Sequence, residues 1–127
     1  MGIIGIGADL VEISRFSEAG EKYGGRFFRR LFTTKEIAYC ESRGRPSEHY
    51  AARFAAKEAA LKALGLGWSG GVTWVDVEVI RGEQGPPTIK FKGIAKKRAE
   101  VLGVRRSFLS LSHSRNLAQA SVVLEGD

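Results

Sequence analysis

Apolar positions at the start of the chain predict a strand that leads into a helix. Residues 3–8 are short, apolar and uninterrupted, as in a buried strand. Asp9 and Glu12 follow in the Asp-x-x-Glu spacing that is typical of a helix start. The pattern therefore predicts that the strand ends at Ala8 and that a helix begins directly after it.

Three more helical segments are predicted in the first half of the chain. Arginines and aromatic residues are interleaved over 26–32, which indicates a compact turn or short helix. Residues 33–36 (TTKE) have the pattern of a capping box and open a helix through about Arg43. The longest helix is predicted over about 47–64, where Ala, Leu, Lys and Glu dominate, and Gly65 supplies the usual C-terminal glycine.

The second half of the chain is predicted to form strands around one further helix. Residues 72–81 alternate as a half-buried strand, with Val75, Val77 and Val79 on one face. The remaining elements are a turn over 82–87, a strand over 88–91, a helix over 93–102, and a hairpin of 107–113 with 117–125 around 114–116. Because helices and strands are mixed without regular alternation, we expect an α+β fold with an antiparallel sheet packed against helices. At 127 residues, the range 1–127 is expected to form a single domain.

Charge and cysteine content narrow the class of protein. The chain has 20 Lys and Arg against 14 Asp and Glu, a formal charge of +6, which favours an anionic partner. Nucleic acid, an anionic membrane, a phosphorylated small molecule and an acidic protein all satisfy that condition. Cys40 is the only cysteine, which excludes an internal disulfide or a multi-cysteine zinc site. The apolar run at the start is too short for a signal peptide, so we expect a cytoplasmic protein.

Asp9 is the first candidate for chemistry, and two interpretations of it remain open. Because side chains alternate along a strand, Asp9 shares a face with Gly5 and Gly7, whose lack of side chains would leave room for a ligand beside the carboxylate. That arrangement suits a metal site. Alternatively, Asp9 simply caps the helix predicted to follow it.

Glu58 is the second candidate, and it lies within the long helix. Phe54, Glu58 and Lys62 recur at a spacing of four and share one face, with Arg53 and Lys57 in a neighbouring row. An ordinary surface Glu–Lys pair would also have this spacing, but small alanines surround Glu58 as close packing would require. Magnesium typically takes one or two carboxylates from a protein, and substrate phosphates fill further positions. The residue types of Asp9, Glu58 and the lysines are therefore suited to phosphoryl-group chemistry.

Two segments resemble the holo-[acyl-carrier-protein] synthases, a family of 4'-phosphopantetheinyl transferases. The first is GIGADLVEI at 5–13 with Arg15 and Phe16 after it; the second is RFAAKEA at 53–59, followed by Lys62, Ala63 and Gly65. A weaker similarity extends over nearly the whole chain, including SLSHS at 110–114. The resemblance implies the fold of that family. It also implies a magnesium-dependent transferase of fatty acid biosynthesis.

The resemblance assigns roles to individual residues. It implies that Asp9 and Glu58 hold Mg²⁺ together with the pyrophosphate of coenzyme A. The hydroxyl of a serine on apo acyl carrier protein then attacks phosphorus, and adenosine 3',5'-bisphosphate leaves. Lys62 would stabilise the phosphates or the leaving group, and Glu58 is the first candidate for the base. Coenzyme contacts are further implied for a set of residues on the long helix and near the last strands, namely Arg53, Lys57, Lys62, Gly65, Pro87, His113 and Ser114.

The resemblance also implies protein partners. Arg15 would meet an acidic helix of the carrier protein, and Arg26, Arg29 and Arg30 would extend that basic surface, which would mainly tune the rate of encounter. Family members assemble as trimers with sites between protomers, so a homotrimer is expected. One departure concerns the glycine–basic–proline pattern often found before the third strand, because Pro86 stands here in place of the basic residue.

Two other classes of protein compete with the transferase. A basic module could bind single-stranded nucleic acid through the arginines and phenylalanines of 26–32, although no known nucleic-acid motif is visible. That hypothesis leaves Asp9 and Glu58 without a role, because carboxylates repel phosphate unless a metal is present. A metal-binding structural domain would keep the ion without turnover. For the transferase we expect neither nucleic acid nor membrane as a partner.

Overall fold

A computed structural model describes residues 2–67, 70–82 and 84–127. Within these ranges there are five strands, five α-helices and one short 3₁₀ turn, Trp74–Asp76. In chain order the elements are β1 (Gly2–Glu12), α1 (Ser14–Tyr23), α2 (Gly25–Leu31), α3 (Thr34–Glu41), α4 (Pro46–Leu64), β2 (Val77–Ile80), β3 (Thr88–Phe91), α5 (Gly93–Leu102), β4 (Arg106–Ser114) and β5 (Leu117–Gly126). None of the described helices is long and apolar enough to cross a membrane.

The strands form two antiparallel sheets. The larger sheet has the order β1-β5-β4, and the smaller one pairs β2 with β3. Helix α4 lies against β1 and β5 and contributes a row of fully buried alanines to the core, which include Ala55, Ala59 and Ala60. Helices and antiparallel sheets in one layered arrangement confirm the predicted α+β class.

Strand β1 is longer than the sequence pattern predicted. It pairs with β5 without a break from Gly5 to Glu12, and Asp9 lies opposite Ala120. The prediction of a helix start at Asp9 is therefore wrong, and so is the interpretation of Asp9 as a helix cap. Pairing with β5 provides backbone partners that the local sequence does not reveal. Helix α1 begins only at Ser14, whose N–H donates to Asn116 Oδ1 at 2.9 Å.

The segment after α4 also differs from the prediction. Residues 72–81 were expected to form one strand, but residues 74–76 form a 3₁₀ turn and only Val77–Ile80 is extended. A capping box stabilises the turn, because the N–H of Thr73 donates to Asp76 and the side chain of Thr73 accepts in return. Val77 and Val79 are buried as expected. Part of the predicted turn over 82–87 lies outside the described residues at position 83.

The other elements agree with the sequence predictions. Helix α4 begins one residue earlier than expected and ends at Gly65, which has a left-handed φ of 71°. The capping box of Thr33 and Glu36 opens α3. Strand β3 and helix α5 have the predicted bounds, and β4 with β5 forms the closing hairpin.

Candidate active site

Two glycines of β1 determine how closely the strand approaches helix α4. A Cβ atom added to Gly7 would lie 1.8 Å from the carbonyl oxygen of Ala59, and one added to Gly5 would lie 1.9 Å from that of Ala63. Both distances are far below van der Waals contact. The glycines therefore make room for the backbone of α4, and the interpretation that they make room for a ligand is wrong.

Asp9 continues the same face of β1, beyond the glycine contact. Its side chain is 20% exposed, and its Oδ1 accepts a hydrogen bond from Lys62 Nζ at 3.1 Å. The same ammonium donates to the carbonyl oxygen of Ala8, also at 3.1 Å. Strand β1 and helix α4 thus bring together the aspartate and the lysine that were singled out in the sequence.

Glu58 lies at the same edge between strand and helix. It is half-buried, one helical turn or about 6 Å before Lys62, and it directly precedes Ala59, against which Gly7 packs. The helical spacing therefore places Glu58 on the same face of α4 as Lys62, whose ammonium group pairs with Asp9. In the described part of the chain, no cluster of three or more His, Cys, Asp or Glu side chains forms a metal site. A pair of carboxylates suits a hard cation such as Mg²⁺ that takes its remaining oxygens from phosphate or water.

Lys57 lies on another side of α4 and has a different environment. Its side chain is fully buried, and Nζ donates to Glu36 Oε1 at 2.8 Å and to the carbonyl oxygens of Trp74 and Val77. Burial lowers the pKa of this ammonium group, and the Glu36 carboxylate opposes that change. Because all three N–H groups have partners inside the protein, the structure contradicts a direct coenzyme contact by Lys57.

Arg53 is also buried, but one of its donors has no partner. Its guanidinium lies 4.2 Å above the ring of Tyr39, and only 3% of the residue is exposed. Among the described atoms, Nε of Arg53 has no hydrogen-bond partner. A buried donor without an acceptor is costly, so this group suits an anionic ligand.

Residues around Arg53 add to a cationic and aromatic cluster that the sequence analysis missed. Besides Arg53, the guanidinium of Arg43 also lies over the Tyr39 ring, 5.5 Å from its centroid. The His49 ring contacts the Tyr39 ring edge-on, with centroids 5.7 Å apart. Burial lowers the pKa of His49, and the charges of Arg53 and Arg43 lower it further. The only sequence signal for this cluster was the spacing of Arg43, His49 and Arg53 around the start of α4. Tyr39 belongs to a different helix, α3, so spacing along α4 did not reveal it.

The closing hairpin brings His113 to the same end of α4. His113 Nε2 lies 3.7 Å from Glu48 Oε2, in the first turn of α4, while Ser114 is exposed at the end of β4. Among the predicted coenzyme residues, Lys62 therefore lies beside Asp9, whereas Arg53 and His113 lie in or near the first half of α4.

The two remaining predicted coenzyme residues have structural roles. Gly65 adopts the left-handed conformation that ends α4, next to Leu64, whose carbonyl oxygen accepts from Arg98 Nε at 3.0 Å. Pro87 is buried immediately before β3, and the coenzyme contact implied for it stays a prediction.

The predicted basic surface is exposed on α1 and α2. Arg15, Arg26, Arg29 and Arg30 all point to solvent, whereas Leu31 and Phe32 are buried. Phe27 and Phe28 are half-buried and pack against other aromatic rings. The phenylalanines thus pack against the core, which weakens the nucleic-acid hypothesis because that hypothesis depended on exposed rings. Beside Arg15, aromatic residues of three helices and the 3₁₀ turn line a cavity of about 330 Å³; they include Phe16, Phe27, Phe54 and Trp74.

Comparison with known proteins identifies the family. Residues 5–120 match the model of the 4'-phosphopantetheinyl transferase superfamily. The holo-[acyl-carrier-protein] synthase of Koribacter versatilis is 50% identical over 123 residues, which cover 97% of this chain and 98% of the relative. The chain belongs to the holo-[acyl-carrier-protein] synthases and is a 4'-phosphopantetheinyl transferase.

Solved structures confirm the fold. The synthase of Neisseria meningitidis superposes with a TM-score of 0.85 at 35% identity, covering 97% of this chain and 98% of the other. The synthase of Helicobacter pylori, solved in complex with coenzyme A, gives a TM-score of 0.81 at 28% identity, covering 94% of this chain and 99% of the other. These similarities confirm the predicted resemblance over nearly the whole chain.

Proposed function

We propose that this protein transfers the 4'-phosphopantetheine group of coenzyme A to a serine of apo acyl carrier protein, in a magnesium-dependent step of fatty acid biosynthesis. The observation that supports the proposal most directly is the ion pair between Asp9 and Lys62, with Glu58 one helical turn before Lys62. These residues lie in the two segments that resemble the family most closely. Residues 1–127 would form one transferase domain.

Asp9 and Glu58 would hold the magnesium ion. When bound, Mg²⁺ would polarise the phosphoryl oxygens and offset their charge. Lys62 Nζ already lies 3.1 Å from Asp9 and is 55% exposed, so it can turn toward a phosphate of the substrate. Its ammonium group would stabilise negative charge on the phosphates and on the leaving group.

The proposed reaction is a displacement at phosphorus. The serine hydroxyl of the carrier forms a new P–O bond to the pantetheine-side phosphorus, and the bond to the other phosphate of the pyrophosphate breaks. The serine proton passes to a base, for which Glu58 is our first candidate, and adenosine 3',5'-bisphosphate leaves with the electron pair of the broken bond. The role of the protein is chiefly to position the reactants and to stabilise charge.

Arg53 and His113 would contact anionic groups of coenzyme A. The unpaired Nε of Arg53 and the nearby His113 suit an anionic group. The basic residues Arg15, Arg26, Arg29 and Arg30 would face the acidic carrier protein. A carrier bound there would lie next to Glu58, because the cavity beside Arg15 is lined by Phe54, one turn before Glu58.

We further propose that the protein forms a homotrimer through the outer face of its larger sheet. Ile6 and Phe108 both lie opposite Val123, in one row across three strands, and are 64% and 52% exposed. Leu10 and Leu117 extend this apolar face. Large apolar side chains exposed side by side favour coverage by another protein surface.

The transfer assay tests the proposal. Purified protein, coenzyme A, Mg²⁺ and apo acyl carrier protein are incubated, and intact-mass spectrometry follows the carrier. We expect the mass of one phosphopantetheine to be added, with no addition after chelation of Mg²⁺ or when the acceptor serine is alanine. Unchanged mass with carriers of both fatty-acid and polyketide type would contradict the function, and sedimentation analysis of Phe108→Asp tests the trimer separately.

A further inference from the structure

A buried network of charges joins α4 to the segment that follows it. Lys57 Nζ pairs with Glu36 Oε1 at 2.8 Å, and both side chains are fully buried. Glu36 Oε2 in turn accepts from the N–H of Val79 at 2.8 Å. Thr33 donates its hydroxyl to Glu78 at 2.6 Å, and Glu78 pairs with Lys92 at 3.0 Å. Helices α3 and α4 are thus tied to β2 at several points.

Lys57 also contacts the backbone on both sides of the 3₁₀ turn. Its ammonium donates to the carbonyl oxygens of Trp74 and Val77, which lie at the start of the 3₁₀ turn and directly after it. One fully buried cation therefore fixes both ends of the turn. A carbonyl oxygen without this donor would have to find another partner in a buried environment.

The turn carries Trp74 into the vicinity of the proposed active site. The Trp74 ring stacks on Phe54 with centroids 4.7 Å apart. Phe54 in turn packs on Phe16 at 5.4 Å and lies one helical turn before Glu58. Together with Arg15, these rings line the cavity of about 330 Å³ on the side proposed to face the carrier protein.

We infer that Lys57 is a positioning residue for the carrier side of the active site, acting through the carbonyl groups of the 3₁₀ turn to hold Trp74 against Phe54. Lys57 contacts neither the carboxylate edge nor the cavity itself. Its effect on the reaction therefore passes through Trp74. This inference rests on the proposed function for its consequence in catalysis, but the positioning of Trp74 can be tested without turnover.

The first test measures the position of Trp74 directly. In a Trp68→Phe background Trp74 is the only tryptophan, and its fluorescence reports its exposure. Addition of Lys57→Met should increase quenching by acrylamide in protein that circular dichroism shows to be folded. Lys92→Met is the matched control, because the 40% exposed side chain of Lys92 pairs with Glu78, while its backbone N–H, which the substitution keeps, donates to the carbonyl oxygen of Asp76. Equal quenching of the Lys57→Met and reference proteins would overturn the inference, whether or not the protein transfers phosphopantetheine.

The second test measures KM separately for the carrier protein and for coenzyme A. For Lys57→Met we expect KM for the carrier protein to rise about five- to tenfold, while KM for coenzyme A stays within about twofold of the wild-type value. If Lys57 had a purely structural role, its loss would lower the amount of folded enzyme and would not raise KM for the carrier protein selectively. Trp74→Leu leaves the buried ion pair intact and should raise KM for the carrier to a similar degree, even if Lys57→Met fails to fold. A wild-type KM for the carrier in Trp74→Leu would refute the proposed route.

Discussion

Two lysines of helix α4, five residues apart, show how burial separates structural charge from reactive charge. Lys57 is fully buried and pairs with the fully buried Glu36, whereas Lys62 is 55% exposed and pairs with Asp9, which is 20% exposed. Both pairs join a lysine of α4 to a carboxylate on another element. Both pairs combine an ammonium group with a carboxylate, but one pair is buried and the other is partly exposed.

The surroundings determine what each pair can do. A buried pair gains strength from its low-dielectric environment, but loss of either partner leaves an uncompensated charge. Lys57 and Glu36 therefore serve as a fixed anchor. An exposed pair contributes only about 0–1 kcal/mol to stability. Asp9 can therefore leave Lys62 to bind a metal ion, and Lys62 can leave Asp9 to bind a phosphate, at little cost in free energy.

The largest effect is expected when the carboxylates of the exposed edge are removed. Asp9→Ala and Glu58→Ala should each reduce transfer by at least about 10²- to 10³-fold, because a bound metal ion supplies several kcal/mol of charge stabilisation and each 1.36 kcal/mol is a factor of ten. Initial rates of carrier modification, measured over a range of Mg²⁺ concentrations, check this prediction.

A matched variant guards against a general effect on β1. Glu12 is an exposed carboxylate on the same strand, and Glu12→Ala should keep the transfer rate near the wild-type value. All three variants should show the same far-UV circular dichroism. Wild-type rates for Asp9→Ala or Glu58→Ala at limiting Mg²⁺ would show that the site is elsewhere.

Substitution by methionine should affect stability more at Lys57 and the transfer rate more at Lys62. Lys57→Met should cost about 3–5 kcal/mol of unfolding free energy, because it leaves Glu36 buried without its partner. Lys62→Met should cost about 0–1 kcal/mol but should lower the transfer rate at saturating substrate by about 10- to 100-fold. Urea unfolding and transfer kinetics on both variants measure the two rankings. Similar losses of stability in the two variants would remove the distinction between anchor and reactive pair.

The sequence was sufficient to predict most helices and the residues of the exposed edge. Local signals were strong for α4, where a run of helix-forming residues ends at Gly65, and for the capping box at Thr33 and Glu36. The family resemblance then singled out Asp9, which the structure pairs with Lys62, and Glu58, which lies one helical turn before Lys62. Sequence spacing could not predict whether the side chain of Lys57 points into the core or to solvent. That direction depends on how α4 is rotated about its axis against β1.

Long-range contacts explain the predictions that were wrong. The rotation of α4 is fixed by the close approach of Gly5 and Gly7, which the sequence suggested as space for a ligand. The helix start predicted at Asp9 gave way to strand pairing with β5, more than 100 residues away. The group that receives the first N–H of α1 is Asn116, in the turn of the closing hairpin. Local patterns contain no information about such partners.

The smallest expected effect concerns a third ionisable group of α4, His49, which is intermediate between the two lysines in exposure. Burial and the charges of Arg53 and Arg43 lower its pKa, and Glu48 opposes this only in part. The unfolded chain therefore binds a proton near pH 6.5 that the folded protein binds only at lower pH. The stability due to neutral His49 is fully present above pH 6.5 and is lost as the pH falls through the pKa of the folded protein.

Replacement of His49 by glutamine should remove this dependence. Urea unfolding between pH 5 and 7 should show that the unfolding free energy of the wild-type protein decreases toward pH 5, with less than about one proton taken up on unfolding. For His49→Gln, the unfolding free energy should depend less steeply on pH. The comparison must be made at equal ionic strength, because salt screens the charge of the exposed Arg43. If both proteins lose stability with the same slope, His49 ionises as freely in the folded protein as in the unfolded chain. The cationic cluster around Tyr39 would then be open to solvent, and the unpaired Nε of Arg53 would have water to bind instead of a coenzyme phosphate.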